Sequence, residues 1–258
     1  SYLFVYDHRP VVELDQSLVL SAHPPCHASG ENHGGNIVFA VVGCHSGSVV
    51  RLRILCCSAR RLHAFGWLRD CAAASGDGAA DEARRLTDAW IRAFGRWNSF
   101  SWSQDVLSSR LMNWLRAGEL LFAAPDAQDS EAMKRHAVRL RCLVRQARYL
   151  QRALPLAPDG SVRLRCAAAL TLAGLCLPGQ AGMLKAALSA YSHEIERQVL
   201  PDGGHVSRAP RAVAEALIDL VTVRDVAAGL DTELPPALGR AIDRLAPMAR
   251  FFQLVDGG

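Results

Sequence analysis

An all-α fold of antiparallel helix pairs, preceded by an irregular N-terminal segment, is what this sequence predicts. Three observations carry that expectation. Apolar residues recur at three-and-four spacing from about Arg60 to Leu254. Turns rich in proline and glycine interrupt the pattern at intervals of roughly 15 to 22 residues. The connections are short, which favours antiparallel neighbours. With 258 residues, 50% of them hydrophobic and 21% charged, the chain can bury a sizeable core and is not of a disordered class.

The elements follow in chain order. Residues 1–59 hold His8, His23, His27, His33 and His45 together with Cys26, Cys44, Cys56 and Cys57, and a β-type run from Asn36 to Val42. The adjacent pairs Cys26-His27, Cys44-His45 and Cys56-Cys57 match no zinc module, because neighbouring side chains lack the gap that lets both reach one ion. No metal or other cofactor is therefore expected. This segment is read either as irregular and strand-containing or as the product of a shift in reading frame. From residue 60 to 258 a single helical domain is predicted. Leu62, Phe65, Trp67 and Leu68 open it; Ala83, Leu86, Ala89, Trp90, Ala93 and Phe94 form a helix that Gly95 ends. Asp105 to Phe122 is predicted as one helix, and Ser130 to Leu150 as a long amphipathic helix with an arginine-rich outer face, a pattern that is usually just solvated. Pro158-Asp159-Gly160-Ser161 starts a helix that stops at Pro178-Gly179. Gly182 to Leu200, Arg211 to Gly229 with Pro210 in its first turn, and Ala237 to Leu254 complete the series. An α-solenoid and an α/α toroid fit this periodicity equally.

Charge and cysteine usage set further bounds. A net charge of +4 spread along helices, not gathered in a block, argues against nucleic acid as a partner and is compatible with an acidic polysaccharide. No run approaches the length of a membrane span. Ser1 to Tyr6 is apolar but lacks the basic region of a signal peptide. Cys166 and Cys176, in Ala/Leu-rich helix, read as small buried thiols.

Local motifs choose between solenoid and toroid. Leu62-His63-Ala64-Phe65-Gly66-Trp67-Leu68-Arg69-Asp70, Arg96-Trp97 with Trp102, Arg110-Leu111-Met112-Asn113-Trp114-Leu115, and above all Gln198-Val199-Leu200-Pro201-Asp202-Gly203-Gly204-His205-Val206-Ser207-Arg208 resemble heparinase II/III-like polysaccharide lyases. Ala241 to Met248, with Phe251-Phe252, fits the same group. The resemblance implies an incomplete α/α toroid at residues 60–258, an acidic uronate-containing glycan as partner, and a following C-terminal β-sandwich domain missing past Gly258. It implies β-elimination, in which a base removes the C5 proton while the uronate carboxylate is neutralised. It also implies a periplasmic location, although without a visible signal peptide the cytoplasm stays open.

Two departures stand against that chemistry. The family's Asn-His position after the helix-opening glycine is held here by Ser161 and Val162, and its Tyr-His pair after the proline by Arg211, Ala212 and Val213. This piece is thus expected to be inactive by itself, with a non-catalytic glycan-binding or envelope-polysaccharide-associated protein as the alternative. The remaining catalytic candidate is His205, an imidazole able to titrate near neutral pH, with helix-end capping as its structural alternative. Arg208, Arg110, Asn113, Trp97 and Trp102 are the candidates for holding substrate, arginine through bidentate bonds to carboxylate or sulfate and tryptophan by stacking on sugar rings. Trp114 reads as core.

Overall fold

The computed structural model describes residues 56–73 and 77–252, together with the backbone of short strands at 2–3, 12–13, 17–19, 37–42 and 52–54. Ile37–Val42 pairs antiparallel with both Ser17–Val19 and Leu52–Ile54, and Tyr2–Leu3 with Val12–Glu13. The side chains of the histidine- and cysteine-rich segment lie outside the described residues, and so do Asp256-Gly257-Gly258.

Beyond the strands the fold is all-α. The helices are α1 (Cys56–Ala64), α2 (Leu68–Ala73), α3 (Asp77–Phe94), α4 (Gln104–Arg116), α5 (Gly118–Phe122), α6 (Ser130–Ala153), α7 (Ser161–Cys176), α8 (Ala181–Gln198), α9 (Pro210–Gly229) and α10 (Pro236–Phe252), with a 3-10 turn at Leu154–Leu156. They form a two-layer arc. In one layer α4 packs on α1 and α7, and α7 on α9; in the other α3 meets α6 and α8 meets α10. Register shows that next-but-one helices run parallel: Arg60 pairs with Asp105 and Ala64 accepts from Asn113, while Asp88 faces Arg139 and Gly95 faces Arg145. This is the antiparallel-pair architecture of an α/α toroid.

The centre is α7, whose residues from Cys166 to Gly174 are all buried. Its small side chains let neighbours come close, and a Cβ on Gly174 would stand 2.7 Å from the Leu184 Cα of α8. Cys166 is buried as expected, whereas Cys176 ends the helix and is exposed.

Two breaks depart from the expected helices. Phe65 turns the chain between α1 and α2 with φ 61°, a conformation costing roughly 1–2 kcal/mol. Burial offsets that cost: its ring lies edge-on to Trp90 and to Trp114, each at 5.3 Å between centroids. The second break, at Ala117, divides the predicted Asp105–Phe122 helix in two. Its consequence is that Arg84 and Arg139 reach the terminal carbonyls of Leu120 and Leu121 at 2.9 and 3.2 Å, satisfying acceptors a helix end leaves open.

Candidate functional site

The place where the resemblance puts lyase chemistry lies between α7 and α9, backed by α8. Ser161 and Arg165 line it from α7, Ala212, Glu215 and Asp219 from α9, and Tyr191 from α8. Arg165 donates to Glu215 at 2.8 Å and to Asp219 at 3.1 Å. Arg116 of α4 donates to the other Asp219 oxygen at 2.7 Å, and Arg211 donates to Glu215 at 2.8 Å. Two carboxylates thus tie together three arginines from three helices. The space left is about 10 Å³, room for about one water and none for a sugar ring.

The ionisation states follow from those contacts. Burial works against both ions, but the arginine contacts outweigh it for Glu215, whose carboxyl lies below its ordinary value. For Arg165 the two carboxylates likewise prevail and hold the guanidinium above its own. Tyr191 is fully buried, and burial, with Asp219 adding to it, pushes its phenol well above the ordinary value. A phenol so placed stays protonated at neutral pH and is not poised to take a proton.

His205 is locked in place. The Pro201-Asp202-Gly203-Gly204 turn closes through Gly203 N to Leu200 O at 2.9 Å, and Gly203 itself has φ 80°. Val199 and His205 then form a β-bridge, which carries the histidine inside with no exposed surface. The Ser207 amide donates to Nδ1 at 3.1 Å, so Nδ1 is the acceptor and Nε2–H donates to Gln198 Oε1 at 3.0 Å. Gln198 passes the chain on to Glu194 at 2.6 Å. Burial lowers the imidazole below its usual range, so it is neutral, with both nitrogens engaged. Such a group clasps a turn; it is not offered to a substrate.

The other candidates separate. Arg110 and Trp102 do not meet a ligand as expected, because both are core: Arg110 donates to Gln146 at 2.5 Å and to the carbonyls of His63 and Ser101 at 3.0 and 2.8 Å, and lies 4.4 Å over the Trp90 ring. Burial lowers its pKa to about 9. Trp102 is buried with its indole N–H on Phe94 O at 3.1 Å. Asn113 is half-buried and donates to Ala64 O at 2.8 Å, joining α4 to α1. Arg208 stays exposed but is held by Asp202 at 2.8 Å. Trp97, 62% exposed, donates its indole N–H to the Tyr149 hydroxyl at 2.8 Å and presents a fixed aromatic face. The six candidates therefore do not converge on one site.

Sequence reading missed Arg165, Glu215 and Asp219. The signal was present in Glu215 and Asp219, two acids four residues apart and so on one face of α9. Among the described residues no group of His, Cys, Asp and Glu is placed to hold a metal.

No protein-family model matches the chain. Over 198 residues it is 41% identical to FtsZ-localized protein C of Caulobacter vibrioides (strain NA1000 / CB15N), a match taking in 76% of this chain and 33% of that protein. The solved structure of heparinase III aligns with a TM-score of 0.58 and 19% identity over 74% of this chain and 30% of its own. Heparan sulfate lyase HepC from Pedobacter heparinus aligns at 0.57 and 20%, over 78% and 33%. The chain spans about a third of the length of these proteins. The likeness to the lyases, at such identity, is one of fold.

Proposed function

We propose that this chain is a non-catalytic toroid module that binds an acidic, uronate-containing glycan of the cell envelope, within a protein that works at the site of cell division. The observation that carries the reading is the closed cleft between α7 and α9: Arg165, Arg116 and Arg211 are spent on Glu215 and Asp219. A lyase needs that space for a uronate, a free cation for its carboxylate and a group able to take the C5 proton. His205 is neutral and enclosed, and Tyr191 is held protonated. The relative named for localisation with FtsZ supports the division-site assignment, and heparinase-like architecture supports a saccharide as ligand. That same architecture favours a second reading, in which a following β-domain completes a lyase site elsewhere on the toroid. No described helix is long and apolar enough to cross a membrane.

The test is affinity electrophoresis of the 258-residue chain through gels cast with heparan sulfate, alginate or neutral dextran. Retardation by the acidic polymers that fades as salt rises, and none by dextran, is the expected result. Equal mobility in all three gels overturns the reading.

A further inference from the structure

A hollow much roomier than the α7/α9 cleft is a groove of about 570 Å³ between the parallel helices α3 and α6, lined also by Ala123, Ala124 and Pro125. That volume suits a small ligand or one or two sugar rings. Its walls hold five arginines and three aspartates, and the pairing among them is uneven. Arg139 Nη1 donates to both Asp88 carboxylate oxygens at 2.9 and 2.8 Å, Arg84 donates to Asp81 at 3.1 Å, and Asp129 caps α6 by accepting from the Ala132 amide at 2.9 Å. Arg85 is held outside this set by Glu82 at 2.6 Å. Among the described residues Arg92 and Arg135, both exposed, have no carboxylate partner. The surplus positive charge therefore sits on one guanidinium from each wall. His136 beside the groove feels that field: burial first, then Arg139 and Arg84, lower its imidazole.

The seam runs past the hollow. Arg145 of α6 donates to Gly95 O at 2.5 Å where α3 ends, and beyond it Tyr149 fixes Trp97 by the 2.8 Å bond from the indole. Along α6 the separation from Arg135 to Tyr149 is roughly 21 Å, at 1.5 Å of rise per residue. A track with the unpaired guanidinium of Arg135 at one end, that of Arg92 further along and a flat, immobilised indole at the other end matches a chain of acidic sugars: forked N–H groups suit carboxylate or sulfate, and an aromatic face suits the C–H face of a pyranose.

We infer that the α3/α6 seam, through Arg92, Arg135 and Trp97, is the binding site for the acidic glycan, on the outer layer and apart from the cleft used by lyases. This rests on the glycan-binding reading above. The groove arginines recognise the anionic groups while Trp97 discriminates a sugar chain from an acidic peptide, which has no pyranose face to stack.

The test is titration calorimetry of the whole chain with a heparan sulfate oligosaccharide and with poly-L-glutamate. An Arg92→Ala, Arg135→Ala double variant is expected to bind the oligosaccharide about tenfold more weakly, two exposed ion contacts being lost. Trp97→Ala should cost about fivefold for the oligosaccharide and nothing for polyglutamate. Arg224→Ala, whose arginine pairs with Asp225 on α9, controls for net charge and should leave affinity unchanged. All four positions are exposed, so circular dichroism should confirm intact folding. Oligosaccharide binding that ignores the α3/α6 variants overturns the site and leaves the glycan reading standing. Polyglutamate bound tightly and the oligosaccharide not at all overturns both, in favour of an acidic protein partner.

Discussion

Three side chains show how strongly single residues hold this fold. His63 is buried, and its Nδ1 accepts from the Trp90 indole at 2.9 Å, so protonation there would break a bond and add charge beside Arg110. Burial, then Arg110, lowers its pKa from 6.5 to about 4. A histidine whose folded value is depressed contributes stability that is complete above its ordinary value and is lost as pH falls toward the folded one. The window is pH 6.5 down to about 4, and the full loss is about 3 kcal/mol. Urea unfolding across that range should give a steeper fall for the parent than for His63→Gln; parallel curves would contradict this. Asp219 is the second case, 8% exposed at the side chain and held by two arginines. Asp219→Ala leaves Arg116 with no carboxylate and Arg165 with Glu215 alone, and is expected to cost about 3 kcal/mol in the same measurement. His205 is the third, where alanine removes the acceptor of the Ser207 amide and the donor to Gln198, with an expected loss of about 2 kcal/mol.

At the scale of elements, close approach decides what is tolerated. Gly203 of the turn before α9 combines φ 80° with contact to the Arg244 carbonyl of α10, so any side chain there is strained and also collides. Gly203→Ala should lower Tm by several degrees, roughly 2 °C for each kcal/mol in a chain of this size, and Gly182→Ala, with open space around it, should not. Equal melting of the two variants would mean that the turn does not dock on α10. Most element boundaries were legible because local chemistry sets them: Pro178-Gly179, Pro201-Asp202-Gly203-Gly204 and Pro235-Pro236 stop or start helices whatever surrounds them. The breaks at Phe65 and Ala117 were not. A left-handed phenylalanine persists through burial against Trp90 and Trp114, and the α5 carbonyls are met by arginines of α3 and α6. Both causes are tertiary, so no local pattern announces them.

For the molecule as a whole, the two-layer arc was readable in outline while its chemistry was not. The departures at Ser161-Val162 and Arg211-Ala212-Val213 were visible in sequence and pointed to lost catalysis. What replaced it was hidden, since Arg165 meets Glu215 across 50 residues and Arg116 meets Asp219 across 103. Arg110 and Trp102 were misplaced for the same reason: a charged or indole side chain on a motif reads as a site, and only packing reveals a guanidinium enclosed by carbonyls and a ring. The α6 arginines, read as a solvated face, gain meaning from the facing wall of α3. The most direct measurement of the central claim is a single-turnover elimination assay. Stoichiometric protein is incubated with heparan sulfate or alginate, and the ultraviolet absorbance of the unsaturated uronate is followed for hours. A trace indistinguishable from buffer, alongside salt-sensitive binding of the same polymers, is the expected result; steady absorbance growth that His205→Ala or Tyr191→Phe abolishes would contradict it.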